Sequence, residues 1–239
     1  MSDQFLILGH RGSPTRFREN TIESFEEALR SGADGFETDL RLLSDGVAVL
    51  YHDEEIDEVA CESYRFDDLR KVQQLRELER FAGRAHMCLE VKRSKWEDVL
   101  LEHVSKWPGI VVASFDHSLI AELHRRKAGV PLGLTIYGSL IDLADYAERL
   151  GATWVYPQYR YVDAGVVESL HGRGIRVVPW TPNRERDWQR LRDAGCDGVI
   201  TDFPAEAVEW LRKSAQPQTS ATLPPGPSPN DAPREGGGP

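Results

Sequence analysis

The sequence predicts an α/β fold, a parallel sheet closed into a TIM-type (β/α)8 barrel. Three observations lead there. Short apolar runs alternate with amphipathic stretches along nearly the whole chain, the pattern of a parallel sheet covered by helices. Nine runs read as strands; eight close a barrel, and the ninth serves as a hairpin partner outside the ring. Neither a GxGxxG after the first strand nor a GxxxxGK loop occurs, which argues against the common nucleotide-binding open sheets. A chain of 239 residues, 40% hydrophobic, suits one barrel of this size.

Each element follows from local pattern. Phe5–Leu8 is an apolar strand. Asn20 or Thr21 caps a helix, with Glu23 placed for a capping box if Asn20 is the cap, and Ile22, Phe25, Ala28 and Leu29 share one face. Gly32 ends it. Gly35–Leu43 is a strand, Ser44-Asp45-Gly46 a tight turn, and Val47–Tyr51 returns antiparallel, giving a hairpin around residues 36–52. Residues 53–84 are charged and rich in helix formers, with Leu69, Val72, Leu75 and Leu78 at helical spacing. His86–Val91 is a strand, 96–107 a helix and 109–113 a strand, and Asp116 caps a helix to about Lys127. Strands at 132–136, 153–156, 175–179 and 198–201 then alternate with helices at 140–150, 164–172, 184–194 and 204–213. Residues 1–214 thus read as one barrel domain. From Ala215 to Pro239 Pro, Gly, Ser and Thr dominate, and a segment with so little to bury is expected to be a disordered tail.

Bulk composition narrows the partners. Net charge is −10, with 39 acidic against 29 basic residues and no long basic run, so nucleic acid is not the expected partner. An acidic protein that binds phosphate must concentrate positive charge locally. The three cysteines, Cys61, Cys88 and Cys196, form neither a zinc signature nor a disulfide framework and read as reduced thiols. The first residues lack the basic segment and long apolar run of a secretory signal, and no run reaches the ~18 apolar residues of a membrane span. A cytoplasmic location is the expectation.

Titratable residues gather at strand ends. His10 and Arg11 follow the first strand, and Glu37 and Asp39, two apart on the second, share a face. The hairpin returns His52 beside them, and Glu90 and Lys92 stand at the end of the next strand. Charged groups are costly to bury without partners, so this placement points to one site. Glu37, Asp39 and Glu90 form an oxygen-only set suited to one hard divalent cation, Mg²⁺ or Ca²⁺, with Mn²⁺ also admitted. His10 and His52 divide general acid and base between them. Arg11 grips a phosphate with parallel hydrogen bonds, and Lys92 acts as a point charge. A divalent metal, two cations and two histidines around one cavity suit phosphodiester cleavage, in which negative charge grows on phosphate oxygens.

The chain resembles the glycerophosphodiester phosphodiesterase family. The resemblance rests on His10-Arg11-Gly12, Glu19-Asn20-Thr21, Glu37-x-Asp39, His52-Asp53, Leu89-Glu90-Val91-Lys92, Ser114-Phe115-Asp116, Trp180-Thr181-x-Asn183 and Thr201-Asp202-x-Pro204, in family order over about residues 5–205. It implies a TIM barrel and metal-dependent hydrolysis of small glycerophosphodiesters to sn-glycerol 3-phosphate and an alcohol. It further implies Glu37, Asp39 and Glu90 as metal ligands, His10 and His52 as the acid–base pair, Arg11 and Lys92 as phosphate contacts, and Trp180 as the wall against which glycerol packs. Glu19 and Asn20 shape the loop and cap the first helix.

The sequence departs from the family in three places. Arg18 stands where the motif has proline, and residues 54–62 (EEIDEVACE) replace a segment usually rich in Arg and Thr. The stretch between His52 and Glu90, which normally caps the alcohol side, is short. Two other readings stand beside the first: a lysophospholipase D-type activity, which needs an apolar groove at the barrel mouth, and a non-catalytic barrel. No exposed aromatic or apolar loop stands out in the sequence to demand the groove.

Overall fold

The computed structural model describes residues 4–215. The expected tail lies outside them, apart from Ala215, which ends the last helix. In chain order the elements are β1 (Leu6–Gly9), α1 (Ile22–Arg30), β2 (Gly35–Leu42), β3 (Ala48–Leu50), β4 (Glu55–Ile56), β5 (Val59–Ala60), β6 (Gln73–Gln74), β7 (His86–Val91), α2 (Glu97–Val104), β8 (Ile110–Ser114), α3 (His117–Arg125), β9 (Leu132–Ile136), α4 (Leu143–Arg149), β10 (Trp154–Pro157), α5 (Ala164–His171), β11 (Arg176–Val177), α6 (Glu185–Asp193), β12 (Gly198–Thr201) and α7 (Pro204–Ala215).

Parallel neighbours run β11-β10-β9-β8-β7-β2-β1-β12. The ring closes through Trp180, just past β11, whose backbone bridges Gln158 on one side and Ile200 on the other. β3 is the surplus strand. It pairs antiparallel with β2, Leu40 opposite Leu50 and Leu42 opposite Ala48, and lies outside the ring.

Two apolar layers result. Between barrel and helices lies the main core; there Phe25 of α1 stacks on Phe36 of β2 at 4.1 Å, and Phe81 meets Phe36 edge-on at 5.2 Å. Inside the barrel a smaller cluster of Leu8, Cys88, Val111, Ala113, Tyr156, Val178 and Ile200 fills the interior. One end of that interior plug is the floor on which the polar residues stand.

One local expectation is corrected and one alternative is resolved. The helical spacing of Leu69, Val72, Leu75 and Leu78 does not form an α-helix. Leu69 and Val72 pack on a side cluster of Leu43, Val49 and Cys61, whereas Leu75 and Leu78 enter the main core through a 3₁₀ turn at Leu75–Phe81. Lys71, at φ 70°, turns the chain between the two destinations. β4 and β5 form a small ribbon with Asp57 and Glu58 both at positive φ, the backbone of a tight hairpin turn. Second, Thr21 caps α1, accepting from the Ser24 amide at 3.3 Å. Asn20 has a different task, described below.

Candidate active site

The carboxylates come from two paired strands. In the β2–β7 register Glu37 stands opposite Cys88 and Asp39 opposite Glu90, so alternate residues of both strands face inward. The three carboxylates are buried, with one oxygen of each within 4.8 Å of the others. His10, Arg11, His52, Lys92, Phe115, Thr135, Tyr156 and Trp180 line the same cavity of about 290 Å³. Every residue expected at the site from sequence therefore meets there. The hairpin does what its turn implied and returns His52 to the cavity.

Each ring is oriented by a carboxylate. His10 Nδ1 lies 2.6 Å from Asp202 Oδ1, and His10 Nε2 lies 3.9 Å from Glu37 Oε2. Asp202 is itself held: Asn183 Nδ2 donates to its Oδ2 at 2.6 Å, while the Asp202 amide donates to Asn183 Oδ1 at 3.0 Å. Burial works to lower the His10 pKa, but the bond to Asp202 and the charge of Glu37 outweigh it, and the net shift is upward. His52 Nδ1 lies 2.8 Å from Asp53 Oδ1, and Arg41 fixes its backbone by donating to the His52 carbonyl at 2.9 Å. Both rings thus keep Nε2 for other work.

The carboxylates differ in their partners. Burial raises the Asp39 carboxyl, but Lys92 and Arg11 outweigh it and hold it below its usual range; Lys92 Nζ lies 2.7 Å from Oδ1, and Arg11 Nε 3.3 Å from Oδ2. Asn20 Nδ2 also donates to Asp39 Oδ2 at 2.8 Å, and Asn20 Oδ1 accepts from Thr38 Oγ1 at 2.7 Å. Glu90 is raised by burial, although Lys92 hydrogen-bonds it. Glu37 takes the Arg11 amide at 3.0 Å, and within 4.0 Å its only ion-pair partner among the described residues is His10. Burial, then the charge of Asp39, push Glu37 up to about 8.

This geometry could hold a metal. Three buried carboxylates repel one another, and oxygen-only donors suit a hard divalent cation. Arg11 and Lys92, the expected phosphate contacts, are here tied to carboxylates: Arg11 NH1 reaches both oxygens of Glu19 at 3.0 Å, and Lys92 spans Asp39 and Glu90. Trp180 stands at the mouth, its Nε1 donating to the Tyr156 carbonyl at 2.8 Å.

A family model, the glycerophosphoryl diester phosphodiesterase family, matches residues 10–87 and 77–206, which together take in every barrel strand after β1. The chain belongs to this family. A relative from Caldanaerobacter subterraneus subsp. tengcongensis, named glycerophosphodiester phosphodiesterase, is 27% identical, with 87% of this chain and 98% of that protein covered. A solved glycerophosphodiester phosphodiesterase from Thermotoga maritima superposes with a TM-score of 0.78 at 28% identity, covering 87% of this chain and 99% of that one. A phosphodiesterase from Oleispira antarctica, solved with its product sn-glycerol 3-phosphate, shares the fold, with a TM-score of 0.77 at 20% identity over 87% of this chain and 96% of that one. Among the described residues no helix is long and apolar enough to cross a membrane.

Family membership makes the residues outside the sequence expectation informative. Asp202 and Asn183 had no assigned role, although a carboxylate directly after a strand, at the same barrel end as His10, was a usable signal. Asn20, read as a cap, is a support for Asp39. Of the aromatic mouth only Trp180 was expected: Phe115 meets it edge-on at 5.6 Å, and Tyr137, 67% exposed, lies 6.0 Å from it. These residues are scattered over three strand-to-helix loops, so no linear stretch betrays the patch.

Proposed function

We propose that this protein hydrolyses small glycerophosphodiesters to sn-glycerol 3-phosphate and an alcohol, with one divalent cation held by Glu37, Asp39 and Glu90 and with His10 and His52 as acid and base. The observation that carries the reading is the pair of histidines, each oriented by a carboxylate, on a cavity whose wall holds three clustered acids and two cations. The activity borne in the names of the family and of its relatives supports the substrate class.

Mg²⁺, Ca²⁺ or Mn²⁺ would supply positive charge to the phosphate oxygens. The chain's own groups do the rest. Arg11 and Lys92 add fixed charge, and burial of the site makes that charge count for more. One imidazole takes a proton from the attacking water as its oxygen bonds to phosphorus; the other returns a proton to the alcohol oxygen as its bond to phosphorus breaks. Asp202 and Asp53 hold the rings so that Nε2 faces this exchange. Trp180 and Phe115 offer an apolar wall to the carbon face of glycerol.

The test is glycerol 3-phosphate release from glycerophosphocholine, glycerophosphoethanolamine and glycerophosphoglycerol, before and after EDTA and after return of each metal. Release that stops with EDTA, resumes with a divalent cation and drops at least ~100-fold in His10→Ala and His52→Ala is expected. Cleavage of lysophospholipids alone would replace the substrate class. No cleavage of either by folded, metal-loaded protein would sink the enzyme reading.

A further inference from the structure

A second cleft opens beside the reaction cavity and shares a wall with it. Trp180 and Thr181 line both. The second cleft is larger, about 630 Å³ against 290 Å³. Its lining carries Arg160, Arg184, Arg186 and Arg190 against a single acid, Asp187, in a protein whose net charge is −10.

These arginines are not spent on carboxylates. Among the described residues Arg160, Arg184 and Arg190 have no ion pair within 4.0 Å, and Arg186 reaches Asp187 only at 4.0 Å. Arg190 works as a brace: its two terminal nitrogens donate to the carbonyls of Val162 and Tyr159 at 2.7 Å each. That brace fixes the loop bearing Arg160, whose guanidinium lies 5.0 Å from the centre of the Tyr159 ring. Arg184 is the cap residue of α6 but makes no side-chain capping bond. The first turn of α6 carries Glu185 and Asp187, which answer the positive end of that helix, so the excess positive charge of the cleft comes from the arginine side chains. Concave, cationic and continuous with the scissile site, the cleft suits an anion covalently joined to the substrate.

We propose that this cleft is an anion subsite of the reaction centre, which takes a carboxylate or a second phosphate borne on the alcohol half of the diester, with Arg160 and Arg184 as its contacts. The proposal rests on the phosphodiesterase reading and extends it to the alcohol. Choline and ethanolamine esters, cationic at that end, are the disfavoured substrates, and guanidinium is well matched to carboxylate and phosphate alike.

Glycerophosphoserine and glycerophosphoethanolamine differ by one carboxylate and so isolate the subsite. The full-length, metal-loaded protein is expected to show kcat/KM about tenfold or more in favour of the serine ester, from charge-assisted hydrogen bonds. In the double variant Arg160→Ala/Arg184→Ala the ratio falls to near one. Glycerophosphoinositol phosphate, set against glycerophosphoinositol, asks the same of a second phosphate. A ratio near one in the unaltered protein for both pairs, or ratios unmoved in a folded double variant, overturns the subsite while leaving the phosphodiesterase reading intact. Should no diester be cleaved, that reading fails instead. Calorimetric titration of the two esters then decides the subsite: tighter binding of the serine ester, abolished in the double variant, upholds it, and equal binding overturns it.

Discussion

Asn20 shows how much one side chain does here. It sits at φ 55°, a left-handed conformation that asparagine tolerates better than most residues. Its buried amide holds Asp39 through the carboxylate and, at 3.2 Å, through the backbone amide, and it also takes the Thr38 hydroxyl. Asn20→Ala strips partners from groups that water does not reach. The expected cost is about 1–3 kcal/mol of stability, read by urea unfolding, together with weaker metal retention. Asn20→Asp sets a second carboxylate against Asp39 and is expected to be worse. In the sequence Asn20 reads as a helix cap, because a cap and a strut look alike in one dimension. Asp202 was legible as part of a motif; its partnership with His10, 192 positions away, was not.

Elements aim the site through their register. β2 and β7 must lie close for Asp39 to face Glu90, and Gly35 makes the approach possible. A Cβ at Gly35 would lie 1.8 Å from the His86 carbonyl oxygen. Gly35→Ala is expected to cost at least about 3 kcal/mol by overpacking, visible as a large fall in melting temperature by circular dichroism. Gly46 offers the contrast. It turns the β2–β3 hairpin at φ 82°, with nothing within 4 Å of a built Cβ. Gly46→Ala meets only backbone strain and should cost about 1 kcal/mol. The hairpin was readable because its turn and its alternation are local. Residues 53–84 were not, since their apolar side chains serve two clusters whose positions depend on the rest of the barrel.

At the scale of the whole molecule the two ends of the barrel do different work. Reactive groups crowd the end where the parallel strands finish. His86, at the start of β7, belongs to the other end, with its ring centre 4.8 Å from that of Trp154. Its Nε2 is buried without a hydrogen-bond partner. Burial and Arg176 push it down to about 4, from 6.5. Below pH 6.5 the unfolded chain gains a proton here that the folded chain refuses. Stability from this group is therefore full above pH 6.5 and falls as pH drops toward 4, by about 2 kcal/mol at pH 5. Urea unfolding at pH 7 and pH 5 should show this difference, and His86→Phe should remove it while phosphodiesterase activity at pH 7 persists. Equal pH dependence in both proteins would assign the acid sensitivity to other groups.

By itself the sequence determined the alternation of elements, the hairpin, the surplus strand and which titratable residues line one cavity, since each is encoded in periodicity, turn chemistry or short motifs within a few tens of residues. Only the tertiary structure decided that Trp180 closes the ring, that Asp202 and Asn183 steady His10, that an aromatic rim surrounds the mouth, and that arginines from two separate loops share one cleft. Those facts arise where distant strand ends meet. Periodicity carries the face that a residue presents, whereas the neighbour across a barrel is set by closure, which no local pattern encodes.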